Sequence, residues 1–296
     1  MNMMTELQLV TNIREIDLLR NSFNDLAQKT FGINFKTWYE KGYWTDKYIP
    51  FCYVENNKVV ANVSVNFIDI IVNDEKKRAI QIGTVMTDSD YRNQGLSRKL
   101  LEEVSKTYKG QYDIMYLFAN DSVLQFYPKF GFVPREEYIY FMIYKREIQN
   151  TTNFKKLDGT NEDDLNFIYQ FASKRLSVST TFSTTNSEEL LMFYCVYVFS
   201  HDIYYSESQN VIVICKHEDS ELHIFDLISH QKVNIETILS ELSTSETEKV
   251  VFHYTPDYEN VMLEKTLYIG SEQLFVKLEN GTVLPQDLKH PLTSQA

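Results

Sequence analysis

The chain has 296 residues, 43% of them hydrophobic and 24% charged, with a net charge of −12. That length accommodates two domains or one large one, and the composition is that of a globular protein rather than a disordered one. No apolar run approaches the roughly 20 residues of a membrane-spanning helix, so no membrane partner is expected. The opening Met-Asn-Met-Met-Thr-Glu lacks the basic and then apolar pattern of a signal peptide. Cys52, Cys195 and Cys215 are odd in number, far apart and each set in an apolar run. They read as buried free thiols, which fits a reducing compartment and a cytoplasmic location.

The first 150 residues hold 19 basic and 19 acidic side chains, so the whole negative charge lies in the second half. Neither half offers a basic face, which argues against nucleic acid as a partner. An acidic surface attracts cationic molecules such as amines, although solubility explains the charge equally well.

In chain order, Leu7–Thr11 reads as a strand, Glu15–Gln28 as a helix and Asn34–Lys41 as a second helical stretch. Strands Ile49–Glu55 and Val59–Val72 follow, the former ending at an Asn56-Asn57 turn. A charged hairpin tip, 73–78, leads into the apolar strand Ala79–Met86. Beyond it Leu96, Leu100, Leu101 and Val104 recur at helical spacing, predicting a helix over 96–108. Strand Tyr112–Phe118, short helix Val123–Phe130 and strand Tyr138–Lys145 complete the first half. Strands alternating with helices predict an α/β fold around a mixed sheet.

Between strand and helix stands Arg92-Asn93-Gln94-Gly95-Leu96-Ser97. The first N–H groups of a helix have no internal partners and its dipole favours an anion there. Gly95 lets the backbone come close to a phosphate, and Ser97 is small enough not to block it. A second motif follows downstream: Tyr112–Phe118 runs into Ala119-Asn120, then Ser122-Val-Leu-Gln-Phe126-Tyr127-Pro-Lys-Phe-Gly131-Phe132.

Together these two segments resemble the GNAT superfamily of acyl-CoA-dependent N-acetyltransferases over residues of about 5–147. The first resembles that family's pyrophosphate motif, Arg/Gln-x-x-Gly-x-Gly/Ala, with Ser97 where Gly or Ala is usual. The second resembles its Asn…Phe-Tyr-x-Lys-x-Gly-Phe segment. The resemblance implies a GNAT fold with acetyl-CoA as cosubstrate. Val85 and Thr87, on the strand spanning Met86, would pair with the pantetheine arm. Backbone N–H groups of Asn93, Gln94, Gly95, Leu96 and Ser97 would take the pyrophosphate, and Arg92, Arg98 or Lys129 the nucleotide phosphates. Asn120 would bond the pantetheine, and Tyr127 would be the general acid, since a phenol with a pKa of about 10 stays protonated at neutral pH.

No general base is evident. The strand before the loop lacks the Glu that many family members carry, and Asp88 and Asp90 read as turn caps. Glu40, a water relay, or an amine that arrives deprotonated all stay open. The acceptor site is expected to draw on Phe35, Trp38, Tyr39, Tyr43 and Trp44, because aromatic walls suit an alkyl or cationic amine. The same residues could equally pack their segment onto the sheet. All six histidines lie in the second half, none at metal-ligand spacing, so no metal is expected.

The polar, aperiodic segment 147–153 marks the expected boundary between a catalytic domain, 1–147, and a second domain, 154–296. There the pattern restarts: strand Phe154–Leu157, helix Asp163–Lys174, hairpin strands Val211–Cys215 and Leu222–Ile228, helix Ile235–Leu242, strand Val250–Tyr254, short helix Tyr258–Leu263 and strand Gln273–Leu278. From the hairpin onward this repeats the first half, so the second domain reads as a degenerate GNAT-like α/β unit. Ser229-His230-Gln231-Lys232 stands in place of the phosphate loop and Met262-Leu263 in place of Phe126-Tyr127.

Two tandem units also resemble acetyltransferases of the enhanced-intracellular-survival type. Those carry a third, sterol-carrier-like domain and use a terminal carboxylate in catalysis. This sequence is too short for that third domain and its last residues are polar, so the carboxylate role is not carried over. The expected function is N-acetylation of a small-molecule or peptide amine, with the second domain shaping the acceptor cleft or a homodimer interface. A non-catalytic acyl-CoA sensor is the competing reading.

Overall fold

β-branched residues concentrated between Lys58 and Val72 favour extended backbone, and they form the longest strand of the protein. The computed structural model describes residues 7–145 and 153–296, so the expected boundary at 147–153 lies outside the described residues except for Asn153. The first half supplies strands β1 (Gln8–Thr11), β2 (Tyr48–Glu55), β3 (Lys58–Val72), β4 (Glu75–Thr87), β5 (Ile114–Asn120), β6 (Val133–Arg135) and β7 (Tyr138–Ile143). Its helices are α1 (Asp17–Phe31), α2 (Lys36–Glu40) and α3 (Leu96–Thr107). The second half supplies β8 (Phe154–Leu157), β9 (Phe182–Thr185), β10 (Ile203–Ser206), β11 (Val211–Glu218), β12 (Glu221–Ser229), β13 (Lys249–Phe252), β14 (Glu264–Leu267) and β15 (Glu272–Leu278). Its helices are α4 (Glu162–Ala172), α5 (Glu188–Tyr197) and α6 (Ile235–Leu242).

These strands build two sheets of matching order. The first runs β1-β2-β3-β4-β5-β15-β6, with β9 on the far end of β3, and the second, read from its other edge, runs β8-β10-β11-β12-β13-β7-β14. In each, a meander leads to a helix crossover and a parallel pair, β4 with β5 and β12 with β13. The sixth place is exchanged. β15 from the end of the chain pairs with β5 in the first sheet, while β7 from the first half pairs with β13 in the second. The two sheets therefore share one strand order, and each is completed by a strand from the other half. Leu274, Phe275 and Val276 are all nearly inaccessible, because β15 is covered on both faces.

The core is shared as well. Phe23, Trp38 and Trp44 of the first half pack in one cluster with Ile168, Met192, Phe199 and Ile212 of the second. The three cysteines are free and buried, and burial pushes their thiols up. Three local expectations differ. The charged tip 73–78 is mostly strand: the turn is only Asn73-Asp74, both at positive φ, and Glu75 already pairs with Val72. Tyr258–Leu263 is not helical, and Val123–Phe130 forms 3-10 turns.

Candidate active site

β4 and β5 run parallel in register from Ala79↔Ile114 to Ile82↔Leu117 and pair no further. Beyond that point the edge of β4 facing β5 is open, and a cavity of about 1040 Å³ occupies the gap. A bulge on the other edge of β4 re-aims its end: Met86 lies opposite Asn62 and Gly83 opposite Ser64, so β4 carries one extra residue. Thr84 takes up the bulge at φ +50°, a rare conformation for a β-branched residue. The Asn62 side chain donates to the Thr84 carbonyl at 2.8 Å, and the Tyr48 and Thr84 hydroxyls share a bond of 2.5 Å, which together fix it.

The loop after β4 begins with Asp88, whose carboxylate accepts from Asp90 N–H as the sequence suggests and is held low chiefly by its bond to the Lys58 ammonium. Asn93 at φ +62° and Gly95 at φ +73° turn the backbone into the N-terminus of α3. Such turns point successive N–H groups into a common concavity, and the first helical N–H groups add to it. A Cβ on Gly95 would meet nothing within 4 Å, so the space in front of the loop is open. The Ser97 hydroxyl bonds the Thr87 hydroxyl at 2.8 Å, tying helix to strand.

Of the residues expected to hold the cosubstrate, Val85, Met86, Thr87, Arg92, Asn93, Gly95, Leu96, Ser97 and Asn120 line this cavity, with Arg98 and Lys129. Gln94 does not. Asn120 accepts from Ser122 N–H through its side-chain oxygen at 3.1 Å, which orients its amide at the end of β5. Tyr127 also lines the cavity and is 5% exposed. Burial, with a smaller contribution from the charge of Glu272, pushes its phenol up to about 12.

The expected aromatic acceptor wall is largely core. Trp38 touches the cavity but is 1% exposed, and its indole N–H donates to the Glu189 carbonyl at 2.7 Å. Trp44 packs on Phe23, Phe35 and Tyr48. Tyr39 stacks under the Arg20 guanidinium, and Tyr43 lies against Tyr169 beside a separate cavity that also holds Glu40. Tyr39, Tyr43 and Glu40 therefore stand outside the cleft, because this segment packs on the second half through Trp38 and Tyr43.

The cleft's remaining wall comes from the second half, through residues that the sequence does not single out. Leu190, Phe193 and Tyr194 of α5, Glu272 of β15, and Gln295 and Ala296 line it. Tyr194 donates its hydroxyl to the Gln295 carbonyl at 2.8 Å, and the Gln295 amide donates to Glu272 at 2.8 Å. Thr293 and Ser294 are buried, anchored on Asp226 and Thr184, so the segment read as merely polar is packed into the site. Backbone atoms of Ala296 lie 3.3 Å from where a Cβ on Gly83 would stand, a packing that a bare glycine leaves room for.

Residues 13–135 match the family model "Acetyltransferase (GNAT) domain". No curated protein sequence matches the chain. Among solved structures, a conserved protein from Enterococcus faecalis V583 described as a probable N-acyltransferase is similar over 93% of this chain and 72% of its own, at 12% identity and a TM-score of 0.63. A GCN5-related N-acetyltransferase from Kribbella flavida is similar over 93% and 71%, at 13% identity and a TM-score of 0.58. Eis1 from Mycobacterium abscessus is similar over 93% and 74%, at 9% identity and the same TM-score of 0.58. At these identities the structural likeness speaks for the fold alone, and it spans both sheets. Residues 13–135 thus match a GNAT acetyltransferase domain, and the chain as a whole adopts a two-sheet α/β fold similar to that of these structures.

Proposed function

We propose that the protein is an N-acetyltransferase that moves an acetyl group from acetyl-CoA to a primary amine by direct attack, with Tyr127 as general acid. The observation that carries this reading is that Asn93, Gly95, Leu96 and Ser97 of the loop line one cavity with Tyr127, at the gap between β4 and β5. The open edge of β4 at Val85 and Thr87 offers backbone groups to an extended pantetheine arm. N–H groups of Asn93 to Ser97 receive the pyrophosphate, helped by the charges of Arg92, Arg98 and Lys129. The thioester then lies deep in the gap, near Tyr127.

Attack of the amine nitrogen on the thioester carbonyl forms the C–N bond and breaks the C–S bond. The leaving thiolate needs a proton, and Tyr127, held protonated by burial, supplies it. In this reading residues 1–147 are the catalytic domain and 154–296 a degenerate domain without a phosphate loop of its own, which closes the acceptor side of the cleft. The acceptor is a small-molecule or peptide amine.

Calorimetric titration with acetyl-CoA, followed by thiol release across a panel of amines, tests the reading. Binding near one site per chain with amine-dependent release supports it. Binding without release for any amine favours a non-catalytic acyl-CoA sensor, and no binding overturns it.

A further inference from the structure

We propose that Glu272 is the catalytic base: its carboxylate holds the acceptor as an ammonium ion in the cleft and takes the proton that makes the nitrogen nucleophilic. The inference rests on the acetyltransferase reading above and assigns that reaction's missing partner. Among the described residues lining the cavity, Glu272 carries the one acidic side chain, beside the backbone carboxylate of Ala296, whereas the cations Arg92, Arg98 and Lys129 belong to the loop, α3 and the segment after β5. Its position follows from the strand exchange. As the first residue of β15 it is in register with Asn120, the last residue of β5, and so stands at the mouth of the gap where β4 and β5 have parted.

The carboxylate is oriented, because Gln295 donates to Oε2 at 2.8 Å, which leaves Oε1 for a ligand. Tyr127, Tyr194 and Tyr268 feel its charge, and all three phenols are raised by burial first. The carboxyl itself is raised, chiefly because the surrounding protein desolvates it, with the Gln295 bond opposing. A carboxylate raised in this direction is better matched to an ammonium proton than an ordinary one. Phe193 and Tyr194 in the same wall suit a cationic or alkyl amine.

The proton balance closes. The ammonium gives one proton to Glu272, which passes it to solvent, and the free amine attacks the carbonyl carbon. The C–S pair leaves with sulfur, Tyr127 protonates it, and the nitrogen's second proton restores the phenol. The products are the amide, the free thiol and one proton.

The test compares wild type, Glu272→Gln and Glu272→Asp, using phenethylamine and a lysine methylamide blocked at its α-nitrogen as probes. Glu272→Gln keeps an acceptor for Gln295, so folding, followed by circular dichroism, and acetyl-CoA affinity, followed by calorimetry, are expected to be unchanged. Its kcat/KM is expected to fall about 100-fold and to lose the acid-side limb of the pH profile, with Glu272→Asp in between. Wild-type kcat/KM and an unaltered acid limb in Glu272→Gln would overturn the assignment while leaving the acetyltransferase reading intact. A wild-type protein that binds acetyl-CoA but releases no thiol would overturn both.

Discussion

Glu272 and Asn120 face each other across β15 and β5, although 152 positions separate them in the chain. The pair brings β15 to the end of β5, the strand that leads into the Asn120–Phe132 segment. It also ties the site to the strand exchange: without β15, β5 has no partner on that side and the cleft has no acidic side chain.

Tyr127 is the residue the proposed chemistry depends on most. Tyr127→Phe removes one oxygen from a buried ring that packs on Phe126 and Phe132. We expect kcat to fall about 100-fold or more, in the range of general acid catalysis, with the dissociation constant for acetyl-CoA unchanged. Steady-state kinetics beside calorimetry separates the two. Because the phenol is raised to about 12, the wild-type rate should also show no alkaline decline from this group below about pH 10.

Gly95→Val is expected to have the opposite signature. The position is left-handed at φ +73°, which a β-branched residue adopts only with strain. The added side chain would also occupy the open space before the loop. Acetyl-CoA affinity should drop at least tenfold while the circular dichroism spectrum stays native, and unaltered affinity would remove the phosphate-cradle role.

The exchange of strands predicts that the two halves unfold together. Phe275→Ala deletes a ring that is 2% exposed and packs on Tyr127, at a cost of about 3–5 kcal/mol. Urea unfolding followed at both a first-half and a second-half probe should shift by the same amount. Two separate transitions, with only one of them moved, would contradict the shared architecture.

His290 is 1% exposed between the rings of Tyr116 and Phe182, and burial, then the charge of Lys289, lowers its pKa to about 3. A histidine depressed in the fold binds a proton more readily when unfolded. Its contribution is therefore complete above about pH 6.5 and is lost as pH falls from there toward 3. The loss from this one group is at most about 1.4 kcal/mol per pH unit. Denaturation midpoints at pH 6.5, 5.5 and 4.5 should fall in that order, and His290→Gln should flatten the trend.

Lys289 and Glu137 form an ion pair at 3.0 Å with both side chains 4% exposed. Lys289→Met would strand a buried carboxylate, and a loss of about 3–5 kcal/mol is expected; Lys289→Met with Glu137→Leu should recover much of it. Thermal or urea unfolding of the two variants decides the point.

The strand, turn and helix around Gly95 were legible in the sequence because their signals are local: a strand, a glycine, and Leu96, Leu100, Leu101 and Val104 at helical spacing. The order of most first-half elements was legible for the same reason. The exchange of β7 and β15 was not, since pairing partners far apart leave no local mark. Leu274-Phe275-Val276 signals a strand covered on both faces without saying which sheet covers it. Helix α5 went unassigned because Glu188–Tyr197 is apolar on nearly every face and shows no stripe. Trp38, Tyr39 and Tyr43 were read toward the acceptor because sequence gives residue type and not burial. Glu272, one acidic residue among 41, acquires its meaning only from the neighbour its strand finds.

The most direct test of the central claim is calorimetric titration of the wild-type protein with acetyl-CoA, with thiol release then measured on the same sample as an amine is added. We predict binding near one site per chain and release that requires the amine. No binding, or binding that Gly95→Val leaves untouched, would contradict the placement of the cosubstrate between β4 and β5 and the acetyltransferase reading built on it.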